Sequence, residues 1–260
     1  MVSDIQGLIL DMDGVLWKGE QPIGNLQSIF KQITDDNLKV VLATNNASRS
    51  VEQYLDKLNS FGVNLEHRQI ITSGIATGHY LQQRFPKGGS IYVVGEAALA
   101  DTLAEFKFIH SPHEDHVTAV IAALDRGITY GKLKRACKLI RSGAEYIGTN
   151  PDPTFPEPDG LAPGAGAIIA FIQKATDVDP AIIGKPAPTM YTLALERLGT
   201  APENTLVIGD RLETDIAGAQ SLNCYCGLVL SGVTTSKELL HWSPQPDYIA
   251  SDLSELINMI

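Results

Sequence analysis

Residues 8–14 read Leu-Ile-Leu-Asp-Met-Asp-Gly: three apolar residues run straight into Asp11 and Asp13, and Gly14 follows. A short apolar run that stops abruptly at polar residues marks a strand buried on both faces, with its functional groups at its end. The same pattern recurs at Val40-Val41-Leu42-Ala43 before Thr44, and at Leu206-Val207-Ile208-Gly209 before Asp210. Between such runs lie helical patterns; Val51, Tyr54, Leu55, Leu58 and Phe61 fall at offsets that share one helix face. Strand and helix alternate, which predicts an α/β fold built on a Rossmann-like, doubly wound parallel sheet.

The stretch 77–178 interrupts this series with strands of its own, at 91–94, 117–123 and 146–148, and helices at 132–141 and 164–175. It reads as an inserted α/β cap domain, the catalytic core being assembled from 1–76 and 179–260. Residues 150–163 hold five prolines and are expected to form a loop rather than regular structure.

The chain of 260 residues, 44% apolar, is long enough to bury a substantial core. Its 20 Lys and Arg against 30 Asp and Glu leave a net charge of −10, which repels polyanions unless the basic residues cluster locally, so no nucleic acid polymer is expected as a partner. The same acidity opposes a phosphorylated substrate at long range, so a local divalent cation and a few placed donors would have to overcome it. No run approaches the roughly 18–20 apolar residues of a membrane span, and the opening Met-Val-Ser-Asp-Ile-Gln-Gly has no basic leader. No membrane partner and a cytoplasmic location are expected. Cys137, Cys224 and Cys226 are an odd number of thiols, and the close pair lacks a third soft ligand, so packing is the expected role.

Four polar clusters follow predicted strands: Asp11-Met12-Asp13-Gly14, Thr44-Asn45-Asn46, Lys185 within Gly184-Lys185-Pro186, and Asp210 with Asp215. Ligands of open α/β sheets bind at the carboxyl ends of strands, so clusters far apart in the chain can meet there. Their chemistry is complementary. Carboxylates can hold Mg²⁺, a hydroxyl and amides can bind phosphoryl oxygens, and one ammonium can balance charge. A carboxylate attacking a phosphate monoester faces anion–anion repulsion, and neutralising that charge is what such a site must do. Asp11 is the candidate nucleophile and Asp13 the candidate general acid/base. A calcium loop is excluded at Asp11, because the fourth residue, Gly14, and the twelfth, Pro22, break its pattern.

These motifs, as Asp-Met-Asp-Gly-Val-Leu-Trp, Thr-Asn-Asn, Gly-Lys-Pro and Gly-Asp-Arg-Leu-Glu-Thr-Asp-Ile, resemble those of the haloacid dehalogenase-like hydrolase superfamily. In the inserted segment, 124–133, Gly-Thr-Asn-Pro-Asp at 148–152 and Pro-Gly-Ala-Gly-Ala at 163–167 resemble the cap of subfamily IIA, the NagD-like phosphatases. The resemblance implies a Mg²⁺-dependent phosphatase that hydrolyses small phosphate monoesters of phosphorylated metabolites, whether nucleotide, sugar phosphate, phosphoglycolate or p-nitrophenyl phosphate. It implies an aspartyl-phosphate on Asp11, acid/base work by Asp13, phosphate binding by Thr44, Asn45 and Lys185, and metal binding by Asp11, the Asp13 carbonyl and Asp210. Asp215 would orient metal-bound water or Lys185. Relatives of this type pair through their caps, so a homodimer is left open.

Asp125, Arg126, Asn150 and Asp152 are the cap candidates for substrate recognition, with turn capping and a strand-end ion pair as the alternative roles. His110, His113 and His116 lack the His-Glu-x-x-His spacing of a helical zinc site and sit around Pro112, so a solvated linker is expected. Gly164-Ala165-Gly166 follows a proline-rich stretch, not a strand, and is no dinucleotide fingerprint. Two other functions share these motifs. A phosphotransferase or phosphomutase would use the same core with an acceptor other than water, and a phospho-aspartate signalling module would need neither Asp13 nor a cap.

Overall fold

The computed structural model describes residues 4–157 and 160–260. It contains two compact units, one comprising the chain up to Thr44 with Val51–Ile71 and Lys185–Ile260, the other Asn45–Ser50 with Thr72–Gly184. A boundary at 76/77 would cut the helix Ser73–Arg84, whereas these units part at 71/72 and 184/185.

The first unit is organised on a six-stranded sheet in the spatial order Tyr248–Ala250, Tyr225–Val229, Thr205–Gly209, Gly7–Leu10, Lys39–Thr44, Ile70–Thr72. The strand Gly7–Leu10 pairs in parallel with both neighbours. All four of its residues are buried, as are all five of Thr205–Gly209. Side chains alternate between sheet faces, so burial of every residue means both faces are covered. The cover is helical: Leu26–Asp35 packs with Leu253–Ile257, and Pro188–Leu198 with Ala217–Ser221 and the central strands. The helix Leu26–Asp35 buries Leu26, Ile29, Phe30 and Ile33, one stripe, and starts where Asn25 caps the Ser28 N–H. This is the doubly wound sheet that the apolar runs predict.

Register sets the level of the site. Leu10 lies opposite both Leu42 and Ile208, so Asp11, Thr44 and Asp210 emerge at nearly one height. Gly7–Leu10 is also where the chain's direction of winding reverses, since its successor Lys39–Thr44 lies on one side and the late strand Thr205–Gly209 on the other. Such a switch point opens a crevice at the carboxyl edge.

The second unit has its own five-stranded parallel sheet, in the order Ala181–Ile182, Glu145–Gly148, Ala119–Ala122, Gly89–Val94, Phe108–His110. Its core gathers Tyr92, Val120, Ile140, Tyr146, Ile169 and Ile172 among others. Two expectations need correction here. Within 150–163, Thr154–Glu157 and Gly160–Pro163 pair as an antiparallel ribbon. In an isolated two-stranded ribbon half the N–H groups point away from the ladder, so a proline at such a position loses no bond. His110 is no solvated linker: it ends the strand Phe108–His110, accepts the Val93 N–H on Nδ1 (3.1 Å) and packs on Tyr92. His113 and His116 are exposed.

Candidate active site

The strand Gly7–Leu10 delivers Asp11, whose N–H extends the ladder by donating to the Ile208 carbonyl (2.9 Å). The chain then turns at once: the Leu16 N–H donates to the Met12 carbonyl (2.8 Å) and the Gly14 N–H to the Trp17 carbonyl (2.8 Å). Gly14 has φ +87°, and a Cβ there would lie 2.5 Å from Asp210 Oδ2. Both the left-handed backbone and the close approach demand glycine. The turn leaves Asp13 exposed at its rim, accepting a hydrogen bond on Oδ1 from the indole Nε1 of Trp17 (2.9 Å).

Lys185, only 3% exposed, precedes the helix Pro188–Leu198 and inserts its ammonium between two carboxylates, donating to Asp11 Oδ1 (2.5 Å) and Asp215 Oδ1 (2.6 Å). Asp215 sits in the turn Leu212–Ile216, a helical segment wound wider than an α-helix, and its Oδ2 accepts the Arg211 N–H (3.1 Å). The buried Tyr191 hydroxyl donates to the Thr214 carbonyl (2.9 Å) and pins this turn from behind. Both Asp215 oxygens are thus engaged, one by the ammonium and one by the main chain.

Asp210 is 1% exposed. Its Oδ2 accepts the Val233 N–H (2.7 Å), and its main-chain carbonyl accepts the Thr234 N–H (3.1 Å). Its Oδ1 is buried with no hydrogen-bond partner among the described residues, a costly state for a carboxylate oxygen unless an ion completes it. Oxygens of Asp11, Asp210 and Asp215 lie within 4.8 Å of one another. Three carboxylates face one ammonium, an excess of negative charge that a hard divalent cation with oxygen ligands balances. The residues fit Mg²⁺.

The electrostatics agree. Burial pushes the Asp11 carboxyl well above the ordinary carboxylate range; Lys185 pulls it back, and Asp215 and Asp210 push it up further. Burial alone would lower Lys185, but Asp11 and Asp215 outweigh it and hold the ammonium well above the usual lysine value. Asp210 is pushed up to about 6, by burial first and then by Asp215, against the Val233 N–H. A carboxylate buried here can stay ionised only with more positive charge than one lysine supplies.

Asp11, Lys185, Asp210 and Asp215 are therefore brought together, with Asp13 two residues past Asp11, while Thr44, buried, ends the neighbouring strand. Asn45 belongs to the second unit. Its Nδ2 donates to Asp152 Oδ2 (3.1 Å), and its carbonyl accepts from Ser73 Oγ (2.6 Å) and Asn150 Nδ2 (2.7 Å). Asn150 Oδ1 in turn accepts the Asp152 N–H (3.1 Å). Asn150 and Asp152 thus brace Asn45. Asp125, buried, accepts from Lys132 Nζ (2.7 Å) and the Gly127 N–H (2.9 Å), and Arg126 pairs with Glu96 (2.6 Å) above the Phe155 ring.

The sequence reading passed over three contributors. Gly232 and Val233, in the loop after Tyr225–Val229, wrap Asp210, and Ser231 Oγ in the same loop donates to the Gly14 carbonyl (2.6 Å). The signal was the apolar strand breaking at Ser231-Gly232. Tyr191 and Trp17 are both buried.

A family model described as haloacid dehalogenase-like hydrolase matches residues 8–109, and a second, described as HAD-hydrolase-like, matches 182–256. The chain is 31% identical over 256 residues, 98% of each chain, to an acid sugar phosphatase of Staphylococcus saprophyticus. Among solved structures it is similar to a p-nitrophenyl phosphatase from Archaeoglobus fulgidus (28% identity, 99% and 100% of the two chains, TM-score 0.91). It is similar also to NagD from E. coli K-12 (30% identity, 96% and 98%, TM-score 0.87).

Proposed function

This chain belongs to the haloacid dehalogenase-like hydrolases, and from that premise we propose that its phosphatase chemistry is Mg²⁺-dependent and runs through a phospho-aspartate on Asp11. It is a phosphoric monoester hydrolase acting on small phosphate esters. Sugar phosphates are the proposed natural class, supported by the relative named acid sugar phosphatase, and p-nitrophenyl phosphate is the convenient reporter. The observation that carries the mechanism is the Asp11–Lys185–Asp215 bridge beside the unpartnered Asp210 oxygen.

Asp11 and Asp210, with the main-chain carbonyl of Asp13, would hold Mg²⁺, which when bound neutralises phosphoryl charge as a Lewis acid. In the first displacement an Asp11 oxygen attacks phosphorus and the bond to the leaving oxygen breaks, while Asp13 gives that oxygen its proton. In the second, water attacks the same phosphorus, Asp13 takes the water's proton, and the phosphorus–Asp11 bond breaks to release inorganic phosphate. Lys185, fixed by Asp215, and the hydroxyl of Thr44 bind the phosphoryl oxygens as charge builds. The net charge of −10 argues against polyanionic partners. Among the described residues no helix is long and apolar enough to cross a membrane, and the three cysteines are free thiols; a cytoplasmic location is part of this reading.

The test is phosphate release from a panel of sugar phosphates, nucleotides and p-nitrophenyl phosphate, with Mg²⁺ or with chelator, by wild type and Asp11→Asn. Mg²⁺-dependent release by wild type alone is expected. Release by Asp11→Asn at the wild-type rate would sink the phospho-aspartate mechanism.

A further inference from the structure

Asp13 is exposed, yet one of its oxygens is held by a side chain that is among the most buried in the protein. Trp17 is 1% exposed and donates its indole Nε1–H to Asp13 Oδ1 at 2.9 Å. The two residues are also tied through the backbone, by a bridge between them and by the Gly14 N–H to the Trp17 carbonyl. The indole cannot swing. The helix Val51–Ser60 and the residue after it clamp it: Tyr54 stacks at 6.4 Å with planes 14° apart, and Phe61 tilts against it at 6.2 Å. Lys57 places its ammonium 4.4 Å from the ring centre, itself anchored on the Gly19 carbonyl (2.5 Å).

Resting on the reading of Asp13 as acid/base, we infer that Trp17 is the positioning residue that orients the Asp13 carboxyl and decides which of its oxygens carries the proton. An indole N–H donates and does not accept. Oδ1, receiving that bond, stays the acceptor, so the proton that Asp13 delivers sits on Oδ2, and Oδ2 is the oxygen that gives it to the leaving group and later takes one from water. A hydroxyl or imidazole in this place could turn and accept, and would allow the proton on either oxygen. Rigid packing of the donor lets an exposed carboxyl be oriented without ordering it anew in each turnover.

General acid help matters most when the leaving group is a poor one. The experiment therefore compares kcat/KM, which reports only the steps up to phospho-enzyme formation, for an alkyl sugar phosphate and for p-nitrophenyl phosphate. Three Mg²⁺-loaded variants are run: Trp17→Phe, a Trp17 replacement by the benzothiophene isostere of tryptophan, which keeps the shape without the N–H, and Asp13→Asn as reference. The alkyl-to-aryl ratio is expected to fall at least about tenfold in both Trp17 variants, part of the roughly 10²–10⁴-fold that general acid catalysis supplies. Asp13→Asn is expected to lower that ratio further. A wild-type ratio in the folded isostere, or an equal loss on both esters, overturns the role of Trp17 while Asp13→Asn remains selective. If Asp13→Asn itself is unselective, the acid/base assignment fails first, and the inference falls with it.

Discussion

Replacing Lys185 with methionine removes the ammonium and keeps the bulk of the side chain. In the structure that ammonium bridges Asp11 at 2.5 Å and Asp215 at 2.6 Å, with side-chain exposures of 3%, 12% and 2% for the three partners. Deleting one member of a buried pair leaves an uncompensated charge and costs about 3–5 kcal/mol. For a chain of this size each kcal/mol is worth about 2–4 °C in Tm, so a fall of roughly 10 °C is expected for the metal-free protein. The pH dependence has a definite sign. Lys185 is held above its usual value, so it stays charged throughout the acidic and neutral range, and its own deprotonation costs stability only in strong alkali. In the variant the crowded carboxylates relieve their repulsion by taking up protons, so the deficit narrows as pH falls. Melting curves at pH 8 and pH 5 with chelator, alongside kcat on p-nitrophenyl phosphate, measure both effects; kcat is expected to drop by about 10²-fold or more. A Tm within about 2 °C of wild type at pH 8, or a deficit that grows on acidification, would refute the view that this bridge is the electrostatic centre of the site.

The Asp210 carboxyl, at about 6 in the folded protein against 3.8 ordinarily, makes the folded state hold a proton that the unfolded chain has lost. Metal-free stability should therefore decline by about 2 kcal/mol as pH rises from 4 to 6, and the Tm gain from added Mg²⁺ should be larger at pH 7.5 than at pH 5, where protons compete for Asp210. An equal gain at both values would contradict it. Gly232→Ala would put a Cβ against the Asp210 carboxylate and disturb its bond from Val233, so half-saturation by Mg²⁺ in Tm and rate titrations should rise about 10–100-fold. Unchanged half-saturation would show that the 231–234 loop does not tune the metal site.

What could be read along the chain is what local physics writes there. Apolar runs such as Leu8–Leu10 and Leu206–Ile208 announce strands buried on both faces because nothing else needs such continuous apolarity, and the polar residue after each run announces a sheet edge. The phasing of Val51, Tyr54 and Leu58 does the same for a helix. Asp11, Thr44, Lys185 and Asp210 could be singled out because each follows or borders such an element. Other features had no local signature. Residues 150–163 read as a loop because proline content is legible, while the ribbon of Thr154–Glu157 and Gly160–Pro163 depends on which N–H groups face a partner strand. Trp17 and Tyr191 carry the same apolar signature as any core residue, and only the fold aims their single donors at Asp13 and at the Thr214 carbonyl. Asn45 stands next to Thr44 in sequence, yet its partners Ser73, Asn150 and Asp152 arrive from 28, 105 and 107 residues away. The bridge from Lys185 to Asp11 spans 174 residues. Composition and period are properties of neighbours in the chain and so belong to the sequence; the direction of a hydrogen bond and the shifted charge of a buried carboxylate are properties of neighbours in space, which only the packed structure decides.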